Sequence, residues 1–469
     1  MGAACQVLPI RNIDKEYRAM VHKAVDEVLD KLEVAFEENP SPTLKELSGL
    51  FQEHRCGFLA ASMKATIARL FPSYVEQLVT RCPRCDKLLH RKRFEPKEVS
   101  TLQGNFVLQR PYFYCAKCRL GFHPLDEILH LAEEFHQHDI QECVTDMAAR
   151  MPYREAAEVF QRVTGIPVGN HCAHNTLNTV AESASVDRVI PDATEIRKRI
   201  AEVTDTSGQL PILAVCTDGA HTPTRARAPR GAKRGKGSWQ EAKGFRLYLL
   251  DANDRICHIA SWHQIQDRET IGKALQVAAS RIPQDKVRVV LLGDGASWVW
   301  NAMVEHFPQA RQILDFYHAF EHLFTVAKLQ YADNEERSHE WAEATMIRLC
   351  EGGYRRVMAN LRLMKPRSTQ AEQEINKLIN YLDTHGTKMN YGVCLAQGYP
   401  IGSGGIESAN KFICHTRLKR SGAWWVVEMA NAVLRIRCAQ YNGTFDTVFN
   451  HYMKARFAKH HDTQPLRNE

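Results

Sequence analysis

The stretch Val287–Ala296, Val-Arg-Val-Val-Leu-Leu-Gly-Asp-Gly-Ala, decides the fold. A β-branched, aliphatic run too short for a membrane span suits a strand covered on both faces of a sheet. It ends by presenting one carboxylate, Asp294, between Gly293 and Gly295, which let the chain turn and let another group approach the backbone. Pro211–Ala220 repeats the plan with Ile-Leu-Ala-Val-Cys-Thr, then Asp218, then Gly219. Two apolar strands that each terminate in Asp-Gly predict two carboxylates meeting at one sheet edge. A single Asp-Gly is commonly only a turn. The pair, each behind an apolar strand, points to a site.

Between the two aspartates the pattern predicts strands at Gly244–Leu250 and Ile256–Trp262, then a helix at Arg268–Arg281. Three meandering strands, a helix and a further strand make an α/β, RNase H-like core. After Asp294 the pattern predicts a helix at Trp298–Phe307 and a strand at Arg311–Phe316. Residues 319–398 lack strand character and read as a helical insertion. Gly402-Ser403-Gly404-Gly405 then opens a helix that carries Glu407. Two strand-end aspartates and one helix-borne glutamate are the hard oxygen donors that a two-metal phosphodiester site requires, holding Mg²⁺ or Mn²⁺.

Cations flank both ends of this set. Arg225, Arg227, Arg230, Lys233, Arg234 and Lys236 lie in a glycine-containing loop just after Asp218, where an anionic substrate would sit. Arg417, Lys419 and Arg420 follow Glu407, then Trp424-Trp425, which can stack on a base or enter the core. Such groups bind phosphates without reading sequence. A solvated surface is the plainer account of a charge run.

Upstream, residues 14–80 read as helical, with Pro42 in a first turn and Thr43 and Glu46 spaced as a capping box. Cys82-Pro-Arg-Cys85 and Cys115-Ala-Lys-Cys118 place two thiolates in each of two tight turns, the donor set of a structural Zn²⁺ site. Hairpin strands at Phe94–Val99 and Asn105–Tyr114 fill the gap, so the segment reads as a zinc ribbon. Tyr112, Phe113 and Tyr114 beside Arg91, Lys92 and Arg93 suggest a mixed aromatic and cationic surface. Residues 136–183 suggest a helix-turn-helix with Asn170, His174, Asn175 and Thr176 exposed, or else two packed core helices.

At 469 residues the chain exceeds one ordinary core, and its net charge of +7 permits an anionic partner. Ten of the fourteen cysteines are scattered singly, the usage of a reducing compartment. No apolar run spans a bilayer and the N-terminus lacks a secretory pattern, so a cytoplasmic location is expected, with no membrane partner.

Thr217-Asp218-Gly219-Ala220, Gly293-Asp294-Gly295-Ala296 and Pro400-Ile-Gly-Ser-Gly-Gly-Ile-Glu407-Ser resemble the three catalytic blocks of bacterial DDE transposases. The nearest likeness is to the Kra-type insertion-sequence family, with a more distant one to Mutator-like elements. The Cys-x-x-Cys pairs and Arg417-Leu-Lys-Arg-Ser-Gly-Ala-Trp424-Trp resemble that family too. Asp315-Phe-Tyr-His318 is similar to its Asp/Cys-x-x-His element, in which His318 would contact the scissile phosphate or a flipped base. A helix cap with a satisfied histidine is the structural alternative.

The resemblance implies Mg²⁺-dependent cleavage at transposon ends and attack of the freed 3′-hydroxyl on target DNA. It also implies double-stranded DNA as partner, a nucleoid-associated protein, and a homodimer or larger homo-oligomer. The expected organisation is an N-terminal helical region (1–78), a zinc ribbon (79–130) and a helical, helix-turn-helix-like DNA-binding region (131–205). The core then runs over 206–318, is interrupted at 319–398, resumes at 399–445 and gives way to a helix and tail at 446–469.

Two other functions fit parts of the chain. His318-Ala-Phe-Glu321-His322 matches the H-x-x-E-H pattern of inverzincin metallopeptidases, with Glu351 or Glu407 as a third ligand. That reading leaves Asp218, Asp294 and the ribbon unexplained. The other is a zinc-ribbon and helix-turn-helix DNA-binding regulator whose sheet is only structural.

Overall fold

The protein is described here by a computed structural model covering residues 10–204, 209–229, 235–251, 253 and 255–462. It is a mixed α/β chain that divides into two compact units, residues 1–180 with 449–469, and residues 181–448. Among the described residues, no helix is long and apolar enough to cross a membrane.

The first unit begins with a helical hairpin, α1 (Ile10–Glu38) and α2 (Leu44–Leu70). The Thr43 hydroxyl accepts from the Glu46 N–H at 3.3 Å, and the Glu46 carboxylate accepts from the Thr43 N–H at 2.7 Å. The capping box therefore starts α2 at Leu44, and Pro42 stands before the cap rather than in the first turn. Next come β1 (Val79–Arg81) paired with β2 (Leu88–His90), and a sheet of β3 (Arg93–Thr101), β4 (Gly104–Cys115) and β5 (Leu120–Phe122). Strand alternation splits the expected aromatic surface: Phe113 is fully buried while Tyr114 is 39% exposed. Helices α3 (His138–Arg150), α4 (Tyr153–Thr164) and α5 (Asn170–Glu182) follow. Gly165, at φ +76°, ends α4 in a left-handed cap whose N–H donates to Gln161 O.

In the second unit, α6 (Ala193–Val203) leads into β6 (Ile212–Thr224), β7 (Ser238–Leu250) and β8 (Ile256–Ile265), an antiparallel meander. Helix α7 (Arg268–Ser280) precedes β9 (Arg288–Gly293), and α8 (Ser297–Val304) precedes β10 (Arg311–Leu314). The sheet order is β10-β9-β6-β7-β8, with β9 and β10 parallel to β6.

Several strand ends differ from expectation, with β7 beginning at Ser238 rather than Gly244 and β8 running to Ile265 rather than Trp262. β6 does not stop at Asp218, because its hairpin with β7 stays paired out to Thr224 opposite Ser238. The parallel pairing with β9 does stop, at Cys216 opposite Leu292, so one edge of β6 comes free just before Asp218. β10 ends at Leu314 rather than Phe316, because Asp315 accepts the His318 N–H at 2.8 Å and caps the next helix.

That helix, α9 (Phe316–Gln330), is followed by α10 (Glu335–Cys350), α11 (Tyr354–Leu363), α12 (Thr369–His385) and α13 (Tyr391–Ala396). A short helix α14 (Gly404–Ala409) runs directly into a π-helical segment, Asn410–His415. α15 (Val427–Asn442) packs along β8, and α16 (Phe445–Asp462) closes the described chain.

Asn442 fastens α15 to β8. It is 1% exposed, and its side chain donates to Val189 O (2.8 Å) and Ser261 O (3.0 Å). Its Oδ1 accepts from Ser261 N (2.8 Å) and His258 Nε2 (3.0 Å), which fills the hydrogen-bonding capacity of the amide. Replacing it with leucine removes the partner of the Ser261 N–H, the Ser261 carbonyl and the His258 ring, while Val189 O keeps the Thr444 hydroxyl at 2.8 Å. Asn442→Leu is expected to cost about 2–4 kcal/mol in urea unfolding, and a loss well under 1 kcal/mol would show that other groups satisfy them.

Candidate active site and metal centre

Strand register brings the first two candidate carboxylates together. Cys216 lies opposite Leu292, so two residues further along, Asp218 stands level with Asp294 on the neighbouring parallel strand. Leu314 lies opposite Gly293, and the Asp315 N–H donates to Gly293 O at 2.9 Å, which sets Asp315 level with Asp294 on the other side. Gly295 takes φ +103° immediately after Asp294, and a Cβ there would stand 3.0 Å from His385 and Tyr381. Those two residues come from α12, and the Tyr381 hydroxyl donates to the Asp294 carbonyl at 3.0 Å. The helical stretch thus touches the backbone of the second aspartate, a contact that the sequence did not announce.

Glu407 reaches the same end of the sheet on α14, which packs on β6 and β7. Buried Arg246 on β7 donates to the Gly405 carbonyl at 2.6 Å, and Gly405 has no room for a Cβ, which would stand 2.4 Å from the Tyr248 ring. The loop before α14 is tied to Asp315, whose fully buried carboxylate accepts the Ser403 N–H.

Asp218, Asp294, Glu407 and His318 are all partly buried. The Asp218 carboxyl is pushed up to about 6, by burial first and with the Asp294 and Glu407 charges adding to it, against the Gly219 N–H and His318. None of the three carboxylates forms an ion pair with a lysine or arginine among the described residues. Hard oxygen donors without a lysine or arginine counter-ion among the described residues fit divalent cations. The three do not all bring an oxygen within 4.8 Å of one another.

His318 is held by Asp315, with Nδ1 3.0 Å from Oδ1. That bond and the Asp315, Asp294 and Glu321 charges raise its pKa to about 9 against the effect of burial. Burial would raise the Asp315 carboxyl, but hydrogen bonds from His318 and Ser403 outweigh it and hold the group below its usual range. Asp315 is therefore a helix cap as the alternative reading expected, yet His318 remains partly exposed and charged beside the carboxylates. His322, its expected partner ligand, instead packs on Tyr381 with ring centroids 4.2 Å apart.

The cationic candidates separate. Arg227, Lys236, Lys419 and Arg420 are exposed, and Arg225 is partly so. Arg230, Lys233 and Arg234 lie outside the described residues. Arg417 is corrected: it is 3% exposed and stacked 4.8 Å over Trp425, so it does not reach a DNA backbone. Trp425 is the core member of its pair, its indole donating to Leu418 O at 3.1 Å. Trp424 stays 38% exposed beside Trp239, at 6.4 Å between centroids, and Lys419 lies 5.9 Å over the Trp239 ring. Trp239 joins the candidate surface, which its position one strand away in the sequence concealed.

The four paired cysteines form one centre. The sulfurs of Cys82, Cys85, Cys115 and Cys118 all lie within 4.8 Å of one another, alone in doing so among the described groups of three or more candidate ligands. The Cys118 N–H leads in lowering the Cys115 thiol to about 7, despite burial. Hydrogen bonding with Cys85 leads in raising Cys118, and the Cys115 charge raises it further. The cysteines pack with Leu89, Phe113, Leu120 and Phe122, so this small sheet lacks a large core of its own. The cluster can bind a metal such as zinc.

Two outcomes follow from this geometry. Cys115→Ser is expected to lose bound zinc, read by chelator colorimetry on denatured protein, and to unfold the ribbon at lower temperature. Wild-type protein carrying no zinc after expression in zinc-replete medium would refute the assignment. The His318–Asp315 pair makes a pH-dependent contribution to stability. Because the folded pKa is raised from 6.5 to about 9, its contribution is complete below pH 6.5 and is lost as the pH climbs through 9. The unfolding free-energy gap between wild type and His318→Gln in metal-free buffer should shrink over that interval, and a constant gap would count against the pair.

Comparison with known proteins adds a family and a distant structural likeness. No curated protein matches the chain. Its structure is similar to the Drosophila P element transposase strand transfer complex, with 9% identity and a TM-score of 0.27, over 69% of this chain and 82% of that one. A family model matches residues 59–450, a span holding both the cysteine centre and the carboxylates. The chain belongs to UPF0236, an uncharacterised protein family.

Proposed function

We propose that this chain is a DDE transposase of the Kra-type insertion-sequence kind, with an RNase H-like catalytic core. The observation that carries the reading is the convergence of Asp218, Asp294 and Glu407 at one end of a mixed sheet, without lysine or arginine counter-ions among the described residues. The strand order β10-β9-β6-β7-β8, an antiparallel meander continued by two parallel strands, supports the core assignment. Residues 319–398 are then an insertion whose α12 braces Asp294.

Asp218, Asp294 and Glu407 would hold two Mg²⁺ or Mn²⁺ ions, which supply Lewis-acid activation of the attacking oxygen and stabilisation of the leaving one. The rest of the chemistry falls to the chain itself. His318, held by Asp315, would donate a hydrogen bond to a phosphate oxygen. Lys419, Arg420, Arg227 and Lys236 would neutralise flanking phosphates of double-stranded DNA, and Trp239 with Trp424 would offer a face for a base. The four-cysteine centre stiffens a ribbon suited to end recognition together with α4 and α5. Processing two transposon ends together calls for a homodimer or larger assembly.

The test is cleavage and joining, with Mg²⁺, of labelled DNA carrying the ends that flank the gene. Wild type should cut, and Asp294→Asn should lose on the order of 10²–10³-fold or more while still binding, because metal clamping supplies several kcal/mol. Specific binding by both with cleavage by neither would establish the regulator. Zinc-dependent peptide hydrolysis would establish the peptidase.

A further inference from the structure

The carboxylate of Asp218 does not stand alone on its strand. Its Oδ1 accepts the Gly219 N–H at 2.7 Å, and its Oδ2 accepts the side-chain amide of Asn410 at 2.7 Å. Asn410 is 5% exposed, and its own Oδ1 lies 3.0 Å from Nε2 of His263, a fully buried residue of β8. Burial lowers the His263 pKa to about 4, so the ring is neutral and can donate to Asn410 only through a protonated Nε2. That donor fixes the amide orientation, since a flipped Asn410 would set its NH₂ against the ring N–H and its oxygen against a carboxylate. The ring itself is wedged in place, because a Cβ at Gly244 would stand 2.1 Å from it.

Asn410 also sits three residues after Glu407, where α14 passes into the π-helical segment. Such a segment leaves main-chain carbonyls poorly satisfied. Buried Arg437 covers two of them, donating to Ile413 O at 2.7 Å and to Phe412 O. The irregular turn is therefore built and held, and it occurs where Asn410 meets β6.

We infer that Asn410, oriented by His263, is the positioning residue that aims Asp218 and registers the Glu407 helix against it. This inference rests on the metal-site reading of Asp218, Asp294 and Glu407. A carboxylate offers about four lone-pair directions, and the Gly219 and Asn410 bonds use one on each oxygen. One direction per oxygen remains, which is what a carboxylate shared between two ions needs. Asn410 touches neither ion nor substrate; it acts through Asp218.

The test is calorimetric titration of Mn²⁺ into the zinc-replete full chain, with unfolding temperature as a check on folding. Asn410→Leu and the smaller Asn410→Ala are expected to weaken Mn²⁺ binding 10–100-fold, as outer-shell substitutions do. In DNA cleavage, their half-saturating metal concentration should rise while turnover at saturating metal largely recovers. His263→Gln, which keeps an N–H donor, should remain near wild type, whereas His263→Leu should follow Asn410→Ala; a merely structural role would not separate the two. Wild-type binding abolished by Asp218→Asn but matched within twofold by a folded Asn410 variant would overturn this inference alone. Mn²⁺ binding that survives Asp218→Asn unchanged would overturn the metal-site reading, and this inference with it.

Discussion

The second unit is organised by the parallel registration of β6 with β9. Two strands with free apolar side chains could slip by a residue, but a slip inverts which face each side chain meets. Here both strands are buried on both faces: Leu213, Val215 and Cys216 on one, Val290, Leu291 and Leu292 on the other. Their pairing ends at Cys216 and Leu292, so the next same-face positions are aspartates, side by side. Hydrophobic burial sets the alignment, and the alignment imposes two like charges on one another. Burial leads in raising the Asp218 pKa, and the Asp294 charge adds to it.

Asp315 extends the row and turns it to a second use. Its carboxylate is fully buried, yet three separate donors satisfy it: the His318 N–H, the His318 ring and the Ser403 N–H. One residue thereby ends β10, starts α9, charges His318 and anchors the loop that delivers Glu407. A buried carboxylate without such partners would be neutralised or expelled. The polar interior continues with Arg246 on the Gly405 carbonyl in the first turn of α14 and Arg437 on the π-helical carbonyls, each a buried guanidinium. Irregular backbone in the interior demands donors of this kind.

The helical stretch between β10 and α14 is not remote from this end of the sheet. Tyr381 donates to the Asp294 carbonyl, and Tyr381 with His385 crowds Gly295. The positive φ of Gly295 is thus matched by side chains that fill the space a Cβ would need.

Local signals in the chain were sufficient for much of this. Period-two and aliphatic runs marked the strands at Gly244–Leu250, Ile256–Trp262 and Val287–Gly293, because a strand's own side chains declare its burial. The capping box at Thr43 and Glu46 and the two Cys-x-x-Cys turns are equally local, their geometry set by a few adjacent residues. What only tertiary structure decided is everything that depends on a distant partner. β6 runs past Asp218 because β7 keeps pairing with it, and nothing in Asp-Gly reveals that. Arg417 looks like its neighbours Lys419 and Arg420 in sequence, but the Trp425 ring takes it out of solvent. Asn410 and His263 lie 147 positions apart and carry no motif. Their bond exists because a π-helical turn and a β-strand are packed together, and long-range packing is written in the sum of burial rather than in any one stretch.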